Sequence, residues 1–199
     1  MMRHKAADRD QIRVETWGAL LAAAAEEFAV QGYDRANVNR IAKAAGFAIG
    51  TFYNYFPSKR DLMLAFIDEV ARLHVDIIVA QVRGVTDPGR RLEVFFQAGF
   101  KFVQDHLTAA RAIFNTLNGP DEAFRLYLFQ AYQPLFQLLS EDVLSPGIAE
   151  NMFRNVDSET TAGLIMLIYL GTGSQVNPAG EHWLQPEQVA DFALSALRA

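Results

Sequence analysis

Five basic residues lie between positions 35 and 60 with no acidic residue among them: Arg35, Arg40, Lys43, Lys59 and Arg60. An anion that approaches this stretch should meet positive charge that no neighbouring carboxylate in the sequence offsets. The pattern favours a partner that carries phosphate groups. A basic face that is only solvated is the alternative.

The same stretch has the pattern of two short helices separated by a tight turn. Val38, Ile41 and Ala42 recur at helical spacing, Gly46 interrupts the run, and Phe52 provides the apolar position of the next segment. This is the pattern of a helix-turn-helix, whose second helix enters the major groove of DNA. A helical hairpin without a ligand has the same pattern, and the coincident basic charge favours DNA binding over it.

A second region, residues 95–136, contains ten of the 23 aromatic residues, with polar side chains among them. Small-molecule sites are built from apolar walls and a few converging polar groups, so we expect a site for a mainly apolar or aromatic ligand. The residues predicted to line it are Phe96, Phe100, Arg111, Phe114, Asn115, Tyr127 and Tyr132. Ordinary core or surface positions are the alternative for each of them.

Arg111 or Asn115 would meet a polar end of that ligand. Arg111 has no obvious acidic neighbour in the sequence, which hints at an anionic group on the ligand. A salt bridge from Arg111 to Asp105 or Glu122 is the alternative.

Signatures of catalysis are missing from the sequence. It has no cysteine, no Gly-x-Ser-x-Gly nucleophile motif and no phosphate-binding loop of the Walker type. Gly171-Thr172-Gly173 follows a predicted helix rather than a strand, which argues against a dinucleotide-binding turn. No spacing of His, Asp and Glu indicates a metal site, and His74 and His106 are interpreted as structural. The sequence therefore predicts that the protein is not an enzyme and binds neither a cofactor nor a metal ion. The other alternative to a DNA-binding protein is a helical adaptor that binds only protein.

Helices must position these residues, because apolar residues recur at spacings of three and four along the chain and no strand pattern occurs. The first stripe consists of Val14, Trp17, Leu21, Ala24 and Phe28, and Gly32 suits the left-handed residue that follows such a helix. Further helices are predicted from about Asn37 to Ala45, Ala48 to Tyr55, Ser58 to Gly84, Pro88 to Val103, Ala109 to Asn115, Asp121 to Val143 with a kink at Pro134, Pro146 to Arg154, Thr160 to Leu170 and Pro186 to Arg198. The fold class should be all-α.

Composition supports a folded protein that does not cross a membrane. Of the 199 residues, 51% are hydrophobic and 21% charged, and the formal net charge is −5. The first 60 residues are basic on balance, whereas the rest are strongly acidic. No apolar run reaches the ~20 residues that span a bilayer, and the polar start lacks the core of a signal peptide, so we expect no membrane partner and a cytoplasmic location.

The residues around the two short helices resemble the TetR family of bacterial transcriptional regulators. The resemblance rests on these residues in family order and spacing: Phe28, Gly32-Tyr33, Ile41-Ala42, Ala45-Gly46, Gly50-Thr51-Phe52-Tyr53, Phe56, Ser58-Lys59 and Leu62. It covers roughly residues 13–66, and beyond them only the helical pattern and the chain length agree.

The resemblance implies a three-helix DNA-binding domain containing the helix-turn-helix, assigned to residues 1–57, and a larger helical domain for ligand binding and dimerisation, residues 58–199. It implies a ligand-responsive repressor that binds a palindromic operator in double-stranded DNA as a homodimer and is released by a small-molecule effector.

The dimer is also expected from the apolar character of the last two helices. The segment 160–174 carries small residues at Gly163, Gly171, Gly173 and Ser174 and should be buried on all sides. Together with the amphipathic segment 186–198, it has more apolar surface than a monomer of this size can easily cover.

Carried over by position, the resemblance implies phosphate contacts from Thr51, Tyr53 and Lys59. It implies base contacts from Asn39, Ala48, Ile49, Gly50, Asn54 and Tyr55. Asparagine can pair with adenine, whereas Ala and Ile can contact only thymine methyl groups. The chain departs from the family at Ala36-Asn37, where two Thr are common, and at Ala48, where Ser often caps the recognition helix. Asn37 is left as the helix cap.

Overall fold

A computed structural model describes residues 2–173, 175–177 and 181–198, with side chains from residue 10 onward. All regular structure in these residues is helical, apart from two isolated β-bridges. The helices are α1 (Met2–Arg35), α2 (Val38–Ala44), α3 (Ile49–Tyr55), α4 (Lys59–Arg83), α5 (Pro88–Asp105), α6 (Leu107–Leu117), α7 (Glu122–Ala131), α8 (Gln133–Gln137), α9 (Ser145–Ala149), α10 (Ser158–Gly173) and α11 (Pro186–Leu197). The predicted all-α class is confirmed.

Several helix starts follow from local capping residues. The Asp87 carboxylate accepts from the backbone N–H of Arg90, with Pro88 in the first turn of α5. The Asp157 carboxylate accepts from the N–H of Thr160 at the start of α10. Near Pro134 the single kinked helix that the pattern predicted is instead three pieces, α7, α8 and a π-helical turn over Leu138–Leu144, because a proline N atom donates no hydrogen bond to the preceding turn.

The chain forms two compact units, which we describe separately. Unit 1 comprises Met1–Glu69 with Arg111–Tyr127, and unit 2 comprises Val70–Ala110 with Leu128–Ala199. Helix α4 therefore contributes residues to both. The functional boundary expected between residues 57 and 58 stays a prediction.

The core of unit 1 is built on the apolar face of α1. Leu20, Ala24 and Phe28 are fully buried, as is Phe52 of α3. The predicted stripe is correct from Leu21 onward, but its first member, Val14, is 65% exposed. Periodicity indicates which face of a helix is apolar and not how far along the helix a neighbour covers that face.

The core of unit 2 is aromatic. Phe95, Phe96 and Phe100 of α5 are buried, and their rings surround Tyr169 of α10 at centroid distances of 5.1–6.4 Å. Gly99 allows this packing, because a Cβ at that position would lie 2.5 Å from the Tyr169 hydroxyl.

Helix α10 corrects one expectation. It was predicted to be buried on all sides, but Leu164 and Leu167 are 57% and 63% exposed, whereas Ile165 and Tyr169 on the other face are buried. The helix is apolar all round, and the described residues of this chain cover only one of its faces. Of the small residues expected along it, Ser174 lies outside the described residues.

Replacing Gly99 tests the packing around Tyr169. Gly99→Ala should lower the free energy of unfolding by about 1–3 kcal/mol, because the new methyl group overlaps a ring that is itself tightly packed. Gly18→Ala is the matched control: it lies within a helix with no atom within 4 Å of the added Cβ, and should stabilise the protein by about 0.5–1 kcal/mol. Chemical unfolding measures both variants. Equal stability of the two would contradict the packing described.

Candidate nucleic-acid interface

The turn between α2 and α3 is closed by local backbone hydrogen bonds. Gly46 has a φ of 83°, the left-handed conformation that glycine adopts without strain. The N–H of Phe47 donates to the carbonyl of Ala42 at 2.9 Å, and that of Gly46 donates to Lys43 at 3.1 Å. These bonds satisfy the end of α2 and direct the chain into α3.

The start of α2 is held by two side chains. Asn37 accepts from the backbone N–H of Asn39 at 2.8 Å, which confirms it as the helix cap. The Glu27 carboxylate accepts from the N–H of Asn37 at 2.9 Å and from the Arg40 guanidinium at 3.0 Å. The hydrogen bond from Arg40 is the main reason that the pKa of the Glu27 carboxyl is below its ordinary value. Glu27 thereby joins α1 to α2.

Lys59 at the start of α4 binds the end of α1. Its ammonium group donates to the carbonyls of Tyr33, Asp34 and Ala36 at 2.8, 3.1 and 3.2 Å. It also lies 4.6 Å from the centroid of the Tyr33 ring, within range of a cation–π interaction. Of these three carbonyls, that of Tyr33 also accepts from the backbone N–H of Ala36 at 3.2 Å. The ammonium group supplies donors that the last carbonyls of a helix otherwise lack.

Helix α3 has one buried and one exposed face. Phe52 is fully buried and anchors the helix in unit 1. Most of the residues predicted to contact DNA are exposed, namely Asn39, Ala48, Ile49, Gly50, Tyr53 and Asn54; Thr51, Tyr55 and Lys59 are half-buried. Ala48 precedes α3 without a side-chain cap, as its lack of a hydroxyl requires. The residues share the outer surface of one motif, and their contacts with DNA stay predictions.

An open depression of about 410 Å³ brings some of these residues together. Its lining includes Asn39 from α2, Tyr53 from α3 and Lys59 from α4. Two of the three predicted phosphate contacts therefore line the same surface concavity, beside the start of α2.

The charge of this surface is smaller than the sequence indicated. Arg40 is paired with Glu27, and Arg60 is paired with Asp121 at 3.3 Å. Glu27 lies eight positions before the acid-free stretch and Asp121 lies 61 positions after Arg60, so the composition of the stretch itself did not indicate either pair. Within the described residues, Arg35 and Lys43 are the two bases of the stretch without an ion pair or a side-chain hydrogen bond.

The predicted ligand residues divide between the two units. Phe96, Phe100 and Tyr132 lie in unit 2, and Arg111, Phe114, Asn115 and Tyr127 lie in unit 1. Phe96 and Phe100 are fully buried and Tyr132 is 8% exposed. Their role in ligand binding stays a prediction.

Two of these residues have contacts that the sequence did not indicate. The Asn115 amide donates to the carbonyls of Phe28 and Ala29 in α1, at 3.4 and 3.0 Å. The Tyr127 hydroxyl donates to the Asp68 carboxylate at 2.8 Å. No sequence signal marks such pairs, because the partners are 59 to 87 positions apart.

Arg111 is exposed and forms no ion pair among the described residues. Of the two acids named as alternative partners, Asp105 belongs to the other unit and pairs with Lys101 one helical turn away. Glu122 belongs to the same unit as Arg111, and no bond joins the two.

The described residues contain neither a metal site nor a membrane span. No group of three or more His, Asp or Glu side chains there is arranged to hold a metal ion. None of the helices that the structure describes has an apolar segment long enough to span a bilayer.

Comparisons with known proteins agree with this geometry. Residues 20–66 match the family of bacterial regulatory proteins called the tetR family. The HTH-type transcriptional repressor KstR2 of Mycobacterium tuberculosis is 34% identical over 151 residues, which cover 69% of this chain and 68% of the relative.

Two solved structures share the fold. The fatty acid degradation regulator FadR of Bacillus halodurans superposes with a TM-score of 0.83 at 26% identity, over 92% of this chain and 96% of the other. The regulator FadR of Bacillus subtilis, solved with stearoyl-CoA, gives a TM-score of 0.80 at 19% identity, over 92% and 100%.

Lys59 and Lys43 form a matched pair for testing the binding of the end of α1. Lys59→Ala should lower the free energy of unfolding of unit 1 by about 1–2 kcal/mol, because three carbonyls lose a charged donor. The loss is no larger because Lys59 is partly exposed and solvent screens its charge. Lys43→Ala removes the same charge from an exposed position and should change it by less than about 0.5 kcal/mol. Urea unfolding measures the difference. Equal losses would mean that the carbonyl contacts contribute nothing.

Proposed function

The chain belongs to the TetR family of bacterial regulatory proteins, and from that premise we propose that it is a transcriptional repressor that a small molecule releases from its operator. Its relatives are transcriptional regulators rather than enzymes. The observation that carries the proposal is the pairing of a buried anchor, Phe52, with an exposed face on the same short helix. Such a helix can enter a major groove while the rest of unit 1 holds its register on the backbone.

The roles proposed within this face follow from side-chain chemistry. The hydroxyl groups of Thr51 and Tyr53 can donate to phosphate oxygens, which carry no sequence information. The amide of Asn54 can pair with both hydrogen-bonding atoms of an adenine edge, and Ile49 can contact only a thymine methyl group. Asn54 therefore has the greatest capacity to discriminate between bases.

A homodimer is the assembly we propose, and unit 2 supports it. Leu164, Leu167, Trp183 and Phe192 are between 57% and 74% exposed, on α10, on α11 or just before α11. An exposed apolar area of this kind on a folded chain marks an interaction surface. A two-fold axis through it would present two α3 helices to half-sites ~34–36 Å apart and so require a palindromic operator.

We propose an acyl-CoA as the effector. Stearoyl-CoA is bound by one of the structural relatives, and a fatty acyl chain matches the mainly apolar ligand that the aromatic composition of residues 95–136 predicts. Binding must favour the form of the protein that does not hold DNA, because a ligand that binds both forms equally shifts nothing.

Substitutions in α3 test the DNA-binding proposal. An operator is first selected from a library of random duplexes. Asn54→Ala should relax discrimination at one position of each half-site, by about 1–3 kcal/mol. Tyr53→Phe removes a phosphate donor and should weaken binding to selected and scrambled duplexes by the same factor. Competition binding at fixed salt measures both. A protein that selects no sequence at all would refute the proposed function.

A matched pair of exposed leucines tests the dimer. Leu167→Glu places a charge on the apolar face of α10 and should yield monomers in sedimentation at micromolar concentration, with operator affinity lost as a consequence. Leu126→Glu changes a leucine of similar exposure, 58%, on α7 and should leave the dimer intact. Wild-type protein that sediments as a monomer would contradict the assembly.

A further inference from the structure

Three polar side chains meet inside the aromatic core of unit 2. His74 of α4 is 5% exposed, and the ring of Phe102 stacks on it at 3.9 Å with the planes 8° apart. The Tyr132 hydroxyl lies 3.1 Å from Nδ1 of His74, and the Tyr169 hydroxyl lies 2.7 Å from Nε2. Both ring nitrogens therefore have a tyrosine partner.

The imidazole at the centre is neutral. Burial lowers the pKa of His74 to about 3, and burial also raises the pKa of Tyr132 and of Tyr169. A neutral imidazole has one N–H donor and one acceptor nitrogen, and each protonated tyrosine has one O–H donor. One imidazole N–H and two tyrosine O–H groups are therefore available for the two contacts that His74 makes. One tyrosine O–H has no acceptor within this cluster.

The two distances indicate which hydroxyl group it is. Bonds donated by O–H are typically 2.7–2.8 Å long, and those donated by N–H are nearer 3.0 Å. We therefore assign the tautomer of His74 in which Tyr169 donates to Nε2 over 2.7 Å and Nδ1–H donates to the Tyr132 oxygen over 3.1 Å. The O–H of Tyr132 is left over, and no acceptor among the described residues is bonded to it. It is a buried donor that His74 and Tyr169 hold in one orientation.

A second polar atom of this core is also unsatisfied. His182 is 5% exposed, and its Nε2–H donates to the carbonyl of Phe100 at 3.0 Å, which leaves Nδ1 as an acceptor with no partner. The Phe100 ring contacts both His182 and Tyr169. The same aromatic cluster thus contains one free donor and one free acceptor. Buried polar groups in folded proteins are normally paired, so both atoms point to a ligand.

We infer that the Tyr132 hydroxyl, oriented by His74 and Tyr169, donates a hydrogen bond to a neutral carbonyl oxygen of the effector. This inference rests on the proposed function, and it adds the chemical group that the site recognises. With an acyl-CoA the oxygen is that of the thioester. The unpartnered Nδ1 of His182 lies in the same aromatic cluster and is available to an N–H of the ligand.

A carboxylate fits this site poorly. The core around His74 contains neutral hydroxyl, imidazole and phenyl groups, and an anion buried there would need a cation that the cluster does not provide. A thioester oxygen needs only a donor. The site should therefore distinguish the activated acyl group from the free fatty acid.

Matched ligands test the hydrogen bond without relying on one variant. The probes are octanoyl-CoA and palmitoyl-CoA, the corresponding S-alkyl-CoA thioethers that lack the carbonyl oxygen, and the free fatty acids. Calorimetry with the full chain should give about tenfold tighter binding of each thioester than of its thioether, and weaker binding of the fatty acids. The factor should fall to about one in Tyr132→Phe, with thioether affinity unchanged.

His182→Leu is the control within the same cluster. It removes a polar group that does not contact the thioester, so both ligands of a pair should lose affinity together and the tenfold factor should persist. Thioether binding by Tyr132→Phe shows that the variant is folded.

Three results would overturn the inference: a thioester preference that survives Tyr132→Phe, tighter binding of a free fatty acid, or binding of none of the coenzyme A compounds. Operator selection by the same preparation separates these results from a failure of the proposed function.

Discussion

The DNA-binding surface depends on how the end of α1 is held. Gly32 interrupts the helix with a φ of 70°, and the last carbonyls of a helix lack the partners that a following turn would supply. Lys59 satisfies three of them from the start of α4, and Glu27 reaches from α1 to the first N–H groups of α2. Two charged side chains thus fasten α2 and α4 to the same helix end. Helix α3 lies between these two helices in sequence, so its orientation follows from both.

Local interactions could be predicted from the sequence, and distant ones could not. Asn37 and Gly46 act on backbone groups within five residues, so residue type and spacing sufficed to identify their roles. The pairing of Arg40 with Glu27 joins residues 13 positions apart, and the bond from Asn115 to Phe28 joins residues 87 apart. The expected burial of Val14 and Leu167 was wrong for the same reason, because whether an apolar helix face is buried depends on a neighbouring element and not on the helix itself.

Lys59 has two possible roles at its position in the family motif: contact with a DNA phosphate and binding of the carbonyls at the end of α1. The resemblance implies a phosphate contact, and the structure has all three N–H donors of the ammonium group directed at carbonyl oxygens. A phosphate could then bond to Lys59 only by displacing a carbonyl, although the positive charge still attracts it across the depression that Tyr53 also lines. The hydroxyl group of Tyr53 has no such competing partner among the described residues.

The buried imidazole lies on the helix that also carries this lysine. Lys59 is in the first turn of α4 and His74 is about four turns further along. A hydrogen bond from Tyr132 to a ligand would therefore involve a hydroxyl group that is itself bonded to a side chain of this helix. The presence of both residues on α4 is not enough to couple ligand binding to DNA binding. The hydrogen bond from Tyr132 to the ligand must also be more favourable in the form of the protein that has released DNA. If the thioester weakens the binding of the operator, operator DNA must weaken the binding of the thioester by the same factor.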